Sequence, residues 1–152
     1  MIHLGLDVGG TKVLGVAVDL ARPSAVLEER RVPTPDGGDG LVEILVDLVA
    51  ALTDGDSSPH AVGVGVPGLV DGAGRLHMGA HLRRLRDVPL AEVLSERCGV
   101  TTVVDNDANC AAVAEQTCGA AAGAAEALVV TLGTGIGAGI ITGGRLLRGA
   151  NG

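Results

Sequence analysis

LDVGGTK, Leu6 to Lys12, is the stretch from which the rest of the chain is read. An apolar run, Ile2 to Leu6, leads into it and an alternating run, Val13 to Val18, leads out. Both runs read as strands, which puts the glycines in a hairpin turn. Gly9 and Gly10 are expected there to adopt backbone angles that a residue with a Cβ resists. Successive N–H groups in such a turn point into one concavity and can hold a phosphate oxygen. Asp7 falls at the end of the first strand, where its carboxylate is placed to hold Mg²⁺ through water. Thr11 offers a hydroxyl and Lys12 a positive charge, both suited to a polyphosphate. At this point an ordinary hairpin with a Gly-Gly turn explains the stretch equally well.

A second stretch weighs against the ordinary hairpin. TLGTGIGAG, Thr131 to Gly139, again lies between two apolar strands, Ala127 to Leu132 and Ile136 to Thr142. Strand, Gly/Thr turn and strand thus recur far down the chain, as an internal duplication closing on one nucleotide would have it. Neither turn has the GxxxxGK[ST] spacing of a P-loop, nor the GxGxxG-then-helix context of a dinucleotide fold. The nucleotide is therefore expected to be held by hairpins rather than by a helix N-terminus.

Composition narrows the partners. The 152 residues are 47% hydrophobic but contain no Phe, Tyr or Trp, so Val, Leu, Ile and Ala must build the core. Without an aromatic to stack on bases, a single-stranded nucleic-acid reading is weak. The net charge of −7 argues against nucleic acid and against an anionic membrane surface. Cys98, Cys110 and Cys118 form no CxxC pair, which fits reduced thiols in the cytoplasm. No uncharged apolar run reaches the roughly 18 residues needed to span a bilayer. The N-terminus enters a strand at once, leaving no targeting segment, and a cytoplasmic protein without a membrane partner is expected.

Along the chain, Ala25 to Val32 reads as a third strand after the Arg22-Pro23 break. Asp39 is placed as the N-cap of a helix from about Gly40 to Leu52, apolar enough to lie buried on the sheet. His60 to Val66 is β-rich and ends at Pro67-Gly68. Three antiparallel strands, then helix and strand, point to a mixed α/β sheet. GVGVPGLVDGAG, Gly63 to Gly74, reads as strand, turn, short strand, turn, with the Pro-Gly pair either a tight turn or a close backbone approach to a ligand. His77 and His81 read as loop residues without a neighbouring carboxylate, and Arg83, Arg84 and Arg86 as a solvated basic face. Pro89 and Gly99 bracket a short helix, Leu90 to Cys98. Thr101 to Val104 then delivers VDNDANCAAVAE, Val104 to Glu115, where strand passes into an Ala-rich helix. Asn106 and Asp107 fall at that junction, as a helix cap or as a site at the carboxyl end of a strand. One cap needs one residue, and three polar side chains, Asp105 to Asp107, favour the site. The small residues Gly119 to Ala125 mark the expected boundary between residues 1–119 and a second domain opening at 120–152.

These four motifs, in this order, resemble the ROK family of repressors and sugar kinases, within the actin-like ATPase superfamily. LDVGGTK resembles its first phosphate motif and GVGVPGLVD its Pro-Gly turn beneath the sugar. VDNDANCAAVAE resembles its sugar and catalytic-base motif, and TLGTGIGAGII its second phosphate motif. The resemblance implies an α/β, ribonuclease H-like lobe with a mixed sheet, followed by the first strands of a similar second lobe. It further implies that Asp7 assists Mg²⁺ and that Gly9, Gly10, Thr11 and Lys12 line the phosphate site of ATP. Gly133, Thr134 and Gly135 would grip the phosphates from the other side. Asn106 would hydrogen-bond sugar hydroxyls, as would Gly68 through its backbone, and Asp107 would be the general base.

RGANG, Arg148 to Gly152, resembles the opening of the family's next motif, whose Glu, His and zinc-binding cysteines lie beyond these residues. A structural zinc is thus implied only for a longer protein, and none of the three cysteines here is assigned as its ligand. His81 stands where many of the family's sugar kinases carry Asn, which leaves the sugar open. The implied activity is ATP-dependent phosphorylation of a hexose or N-acylhexosamine. The chain is expected to be an inactive N-terminal fragment of a protein that is a homodimer at full length. The alternative is a sugar-sensing repressor of the same family.

Overall fold

The computed structural model describes residues 1–53, 58–133 and 135–150. Ile2–Val8 (β1), Lys12–Asp19 (β2) and Arg22–Pro33 (β3) form an antiparallel meander. A helix, Leu41–Leu52 (α1), carries the chain across to Ala61–Val66 (β4), which pairs parallel to β1. Gly68–Val70 (β5), Leu76–Gly79 (β6) and Arg86–Val88 (β7) make a small antiparallel sheet of their own. Leu90–Cys98 (α2) then leads to Thr102–Asn106 (β8), parallel to β4. Asp107–Cys118 (α3) is followed by Ala127–Leu132 (β9), Ile136–Thr142 (β10) and Arg145–Leu146 (β11), a second three-stranded antiparallel sheet. The main sheet has the order β3-β2-β1-β4-β8. Its mixed character is the one expected from three antiparallel strands followed by a helical crossover.

The order of these strands positions the site. β1, β4 and β8 all run the same way, so their carboxyl ends share one edge. The registers align Asp7 with Gly65 and Gly65 with Asp105, and place Asn106 one step further on beside Val66. Beneath that edge the core is aliphatic throughout. Leu41, Leu45, Leu48, Val49 and Leu52 of α1 pack with Leu4, Leu6, Val62, Val64 and Val66 in one buried cluster. Leu90 and Leu94 of α2 join the same cluster. Gly15 lets α1 come this close, because a Cβ there would stand 2.8 Å from Leu52 Cδ1. The alternate residues of β4 face the other way, where Gly65 lies against Asp107 and Cys110 of α3. The second sheet stacks on α3: a Cβ at Gly139 would be 2.4 Å from Ala112 Cβ, and one at Gly137 would be 2.8 Å from Ala108 Cβ. Its outer face is apolar and exposed, with Leu128 paired to Ile140 and Leu132 to Ile136.

Some local expectations change. Asp39 does not cap α1; the cap position is Gly40, in the left-handed region at φ 73°, which glycine occupies without penalty. Asp39 forms an ion pair with Arg84 instead, on the solvated basic face expected of Arg83, Arg84 and Arg86, all of which are exposed. The third strand begins at Arg22 rather than Ala25, and β8 runs two residues past Val104, to Asn106. His77 lies in β6, not in a loop, and has carboxylates at both ring nitrogens.

Candidate active site

The turn between β1 and β2 is closed by the Gly9 N–H donating to the Lys12 carbonyl at 2.8 Å. Neither Gly9 nor Gly10 has a positive φ, contrary to the expectation from the sequence. Gly9 is needed for space instead, since a Cβ would lie 2.9 Å from the Lys12 carbonyl oxygen. Gly10, Thr11 and Lys12 are exposed, leaving the turn open to solvent. Thr34, which sequence reasoning passed over, braces it from below. Its hydroxyl donates to the Gly9 carbonyl at 2.7 Å and its N–H to the Thr11 carbonyl at 3.0 Å. Its position between two prolines in a loop was the only signal available.

At the carboxyl end of β8, Asn106 caps α3. Its Oδ1 accepts from the N–H groups of Ala108 at 2.9 Å and Asn109 at 3.1 Å. Its Nδ2 donates to the Gly68 carbonyl at 3.1 Å. The Pro-Gly turn is therefore tied directly to the strand–helix junction, and one N–H of the Asn106 amide is left over. Gly68 must be glycine, because at φ 154° a Cβ would collide with the Met78 carbonyl oxygen at 2.2 Å. Asp107 occupies the first position of α3, its Oδ1 accepting from the Ala108 N–H at 2.9 Å. Asn106 thus provides the cap, and the Asp107 carboxylate is left half-exposed at the sheet edge.

The carboxylates interact. Partial burial raises the pKa of Asp7, the negative charge of Asp107 raises it further, and Lys12 opposes both. Asp7 and Asp107 thus face one region from adjacent elements. Cys110, one turn into α3, has its pKa pushed up to about 11, first by burial and then by Asp105, Asp107 and Asp7. The second Gly/Thr turn, between β9 and β10, is closed by the Gly133 N–H donating to the Gly135 carbonyl at 3.0 Å. Around Gly133 and Gly135, among the described residues and beyond the chain neighbours, no atom lies within 4 Å of where a Cβ would stand. Thr134 lies outside the described residues. Because Gly137, just beyond this turn, packs on Ala108, the second turn belongs to the end of α3 that carries Asp107.

A cavity of about 410 Å³ adjoins the first turn, lined by Gly10, Thr34, Asp36, His81 and Arg83 among others. A larger one of about 580 Å³ sits at the opposite end of the sheet, around Ile2, His60 and Thr101, away from these carboxylates. Among the described residues no group of three or more His, Cys, Asp or Glu side chains is arranged to hold a metal ion. Magnesium does not require such a cage, since it keeps several waters and takes one or two carboxylates with substrate phosphates. Asp7, with Asp107 nearby and open glycine turns alongside, fits that mode of binding.

Meander, crossover and strand-end carboxylates define an α/β domain of the actin-like ATPase class. The chain belongs to the ROK family, which it matches over residues 3–152. It is 38% identical over 151 residues to a glucokinase of Streptomyces coelicolor, covering 97% of this chain and 46% of that one. A β-glucoside kinase of Klebsiella pneumoniae is 35% identical over 147 residues, with 95% and 47% covered. A ROK family glucokinase from Streptomyces griseus, solved with glucose and AMPPNP, superposes with a TM-score of 0.90 at 36% identity, covering all of this chain and 48% of that one. A ROK transcriptional regulator superposes with a TM-score of 0.82 at 22% identity, a likeness of fold alone. The chain spans about half the length of the curated relatives it matches.

Proposed function

We propose that the protein carrying these residues phosphorylates a sugar hydroxyl with ATP, the sugar being a hexose or an N-acylhexosamine. One observation carries the reading: the parallel strands bring Asp7 and Asp107 to the same edge of the sheet, with Gly65 between them, beside an open glycine turn. Mg·ATP, when bound, supplies the phosphoryl group and neutralises its charge. Gly9 to Lys12 would hold its phosphates from one side and Gly133 to Gly135 from the other, and Asp7 would hold the magnesium through water. Asn106 directs its free amide N–H to a sugar hydroxyl, with the Gly68 backbone beneath the ring. Asp107 accepts the proton of the attacking hydroxyl as that oxygen bonds to the γ-phosphorus and ADP leaves. With a loose transition state, most of the acceleration comes from this positioning and charge neutralisation.

Turnover is assigned to a protein of the relatives' length rather than to residues 1–152 alone. Residues 120–152 would be the opening of its second lobe, and the whole would be a cytoplasmic homodimer. The glucokinase and β-glucoside kinase relatives support the sugar as acceptor. The test is sugar-dependent ADP release by the full-length product of this reading frame, given Mg·ATP with glucose, N-acetylglucosamine or N-acetylmannosamine. ADP release with none of them, together with sugar-sensitive binding to operator DNA, would overturn the kinase reading in favour of a repressor.

A further inference from the structure

Asp105 precedes the two residues just given roles, and its side chain is almost wholly enclosed, at 10% exposure. A buried carboxylate is tolerated only when its oxygens are paired, and here both are. Oδ1 accepts from the backbone N–H of Asn106 at 2.7 Å and from Asn109 Nδ2 at 3.0 Å. Oδ2 accepts from the guanidinium of Arg148, which arrives from the segment after β11. One carboxylate thus joins the end of β8, the first turn of α3 and the chain leaving the second sheet. Asn106 and Asp107 lie in sequence between its two anchor points, Asp105 and Asn109.

We propose that Asp105 and Arg148 are a positioning pair: the guanidinium holds the strand-end carboxylate, which holds the turn presenting Asn106 and Asp107. Because Arg148 follows the sheet bearing the second Gly/Thr turn, the pair also makes the placement of Asp107 depend on where that sheet lies. Only the kinetic consequence rests on the sugar-kinase reading. The structural consequence stands without it.

The test uses the full-length product of the reading frame with Arg148→Met, Arg148→Lys and Asp105→Asn. Arg148 is 42% exposed in its side chain, so its replacement does not open the core. Hydrogen–deuterium exchange over residues 104–113 should accelerate roughly ten-fold or more in Arg148→Met, as loss of a charge-assisted bond implies. Exchange in α1 should stay at the wild-type rate. Turnover should fall by a similar factor with KM for Mg·ATP unchanged. Arg148→Lys should recover part of both effects, since an ammonium restores the charge without the planar fork. Asp105→Asn, which keeps acceptors for the two N–H groups, should behave like Arg148→Met. Wild-type exchange over 104–113 in Arg148→Met would overturn the proposal, as would accelerated exchange with undiminished turnover. A wild-type protein that phosphorylates no sugar would refute the kinase reading, and exchange would still decide the pair.

Discussion

Asp107→Asn distinguishes a general base from a helix cap, because the structure assigns the cap elsewhere. The N–H groups of Ala108 and Asn109 are both held by Asn106 Oδ1, at 2.9 and 3.1 Å, and the substitution leaves them so. What α3 loses is a negative charge in its first turn, worth typically about 0.3–1 kcal/mol. Against this, the repulsion between Asp107 and Asp7 is relieved. The net change in stability should therefore stay within about 1 kcal/mol in either direction. Loss of a general base costs on the order of 10²–10⁴ in rate, which is about 2.7–5.4 kcal/mol of activation free energy. The kinetic effect should far exceed the thermodynamic one. Measuring kcat, both KM values and thermal unfolding on one preparation of the full-length product separates the two. The same variant should also lower the Asp7 pKa, read from its carboxyl carbon shift, because the second of the two causes that raise it is gone. Asn106→Ala, by contrast, should cost roughly 0.5–2 kcal/mol, because the Asn109 N–H loses its acceptor and the Ala108 N–H keeps only Asp107 Oδ1. Normal turnover by a folded Asp107→Asn protein would refute the reasoning.

Three further outcomes are expected. His77 bridges Asp71 at 3.0 Å and Asp87 at 2.9 Å, and its pKa is raised by Asp87 first and Asp71 second. Its contribution to stability is full below about pH 6.5, the ordinary histidine value, and is lost as pH rises through the higher folded value. Urea unfolding at pH 5.5 and 8 should show this slope in the wild type but not in His77→Gln. Cys110, with a pKa near 11, should resist iodoacetamide at pH 8, while exposed Cys118 is modified, as read by mass spectrometry of each peptide. Gly139→Ala should destabilise by roughly 1–3 kcal/mol in urea unfolding, because its Cβ would sit 2.4 Å from Ala112 Cβ and push β10 off α3.

The sequence revealed the order of elements and the four motifs more readily than the contacts that assemble them. Apolar runs placed β9 and β10 at their observed bounds, and the Pro89 and Gly99 brackets placed α2 at its own. Local rules misplaced the α1 cap because Asp39 satisfies them, and the Arg84 guanidinium with which it pairs instead is 45 residues away. His77 was misread for the same reason. Asp71 is six residues from it and Asp87 ten, and only the β5-β6-β7 pairing folds both carboxylates onto one ring. At the junction itself, the surplus of polar residues over one cap was legible from Asp105-Asn106-Asp107. The division of labour was not. The fold gives Asp105 to Arg148 and Asn109, and Asn106 to the cap and Gly68, which leaves Asp107 facing outward.

Glycine illustrates where composition stops informing. Gly9 and Gly10 were expected to need unusual backbone angles, yet the positive φ values lie elsewhere, at Gly40, Gly74 and Gly99 among others. Gly9 is required by the Lys12 carbonyl and Gly139 by Ala112, both matters of close approach that no propensity scale records. At Gly133 and Gly135 a Cβ would meet, among the described residues and beyond its chain neighbours, nothing within 4 Å. Glycine at such a position weakens a folded chain, because it loses more backbone freedom on folding than alanine does, about 0.5–1 kcal/mol in regular structure. Among the described residues, no close contact at the second turn offsets that cost. An offset from outside the fold, such as an anion drawn close to bare backbone N–H groups, is the explanation that the nucleotide reading supplies.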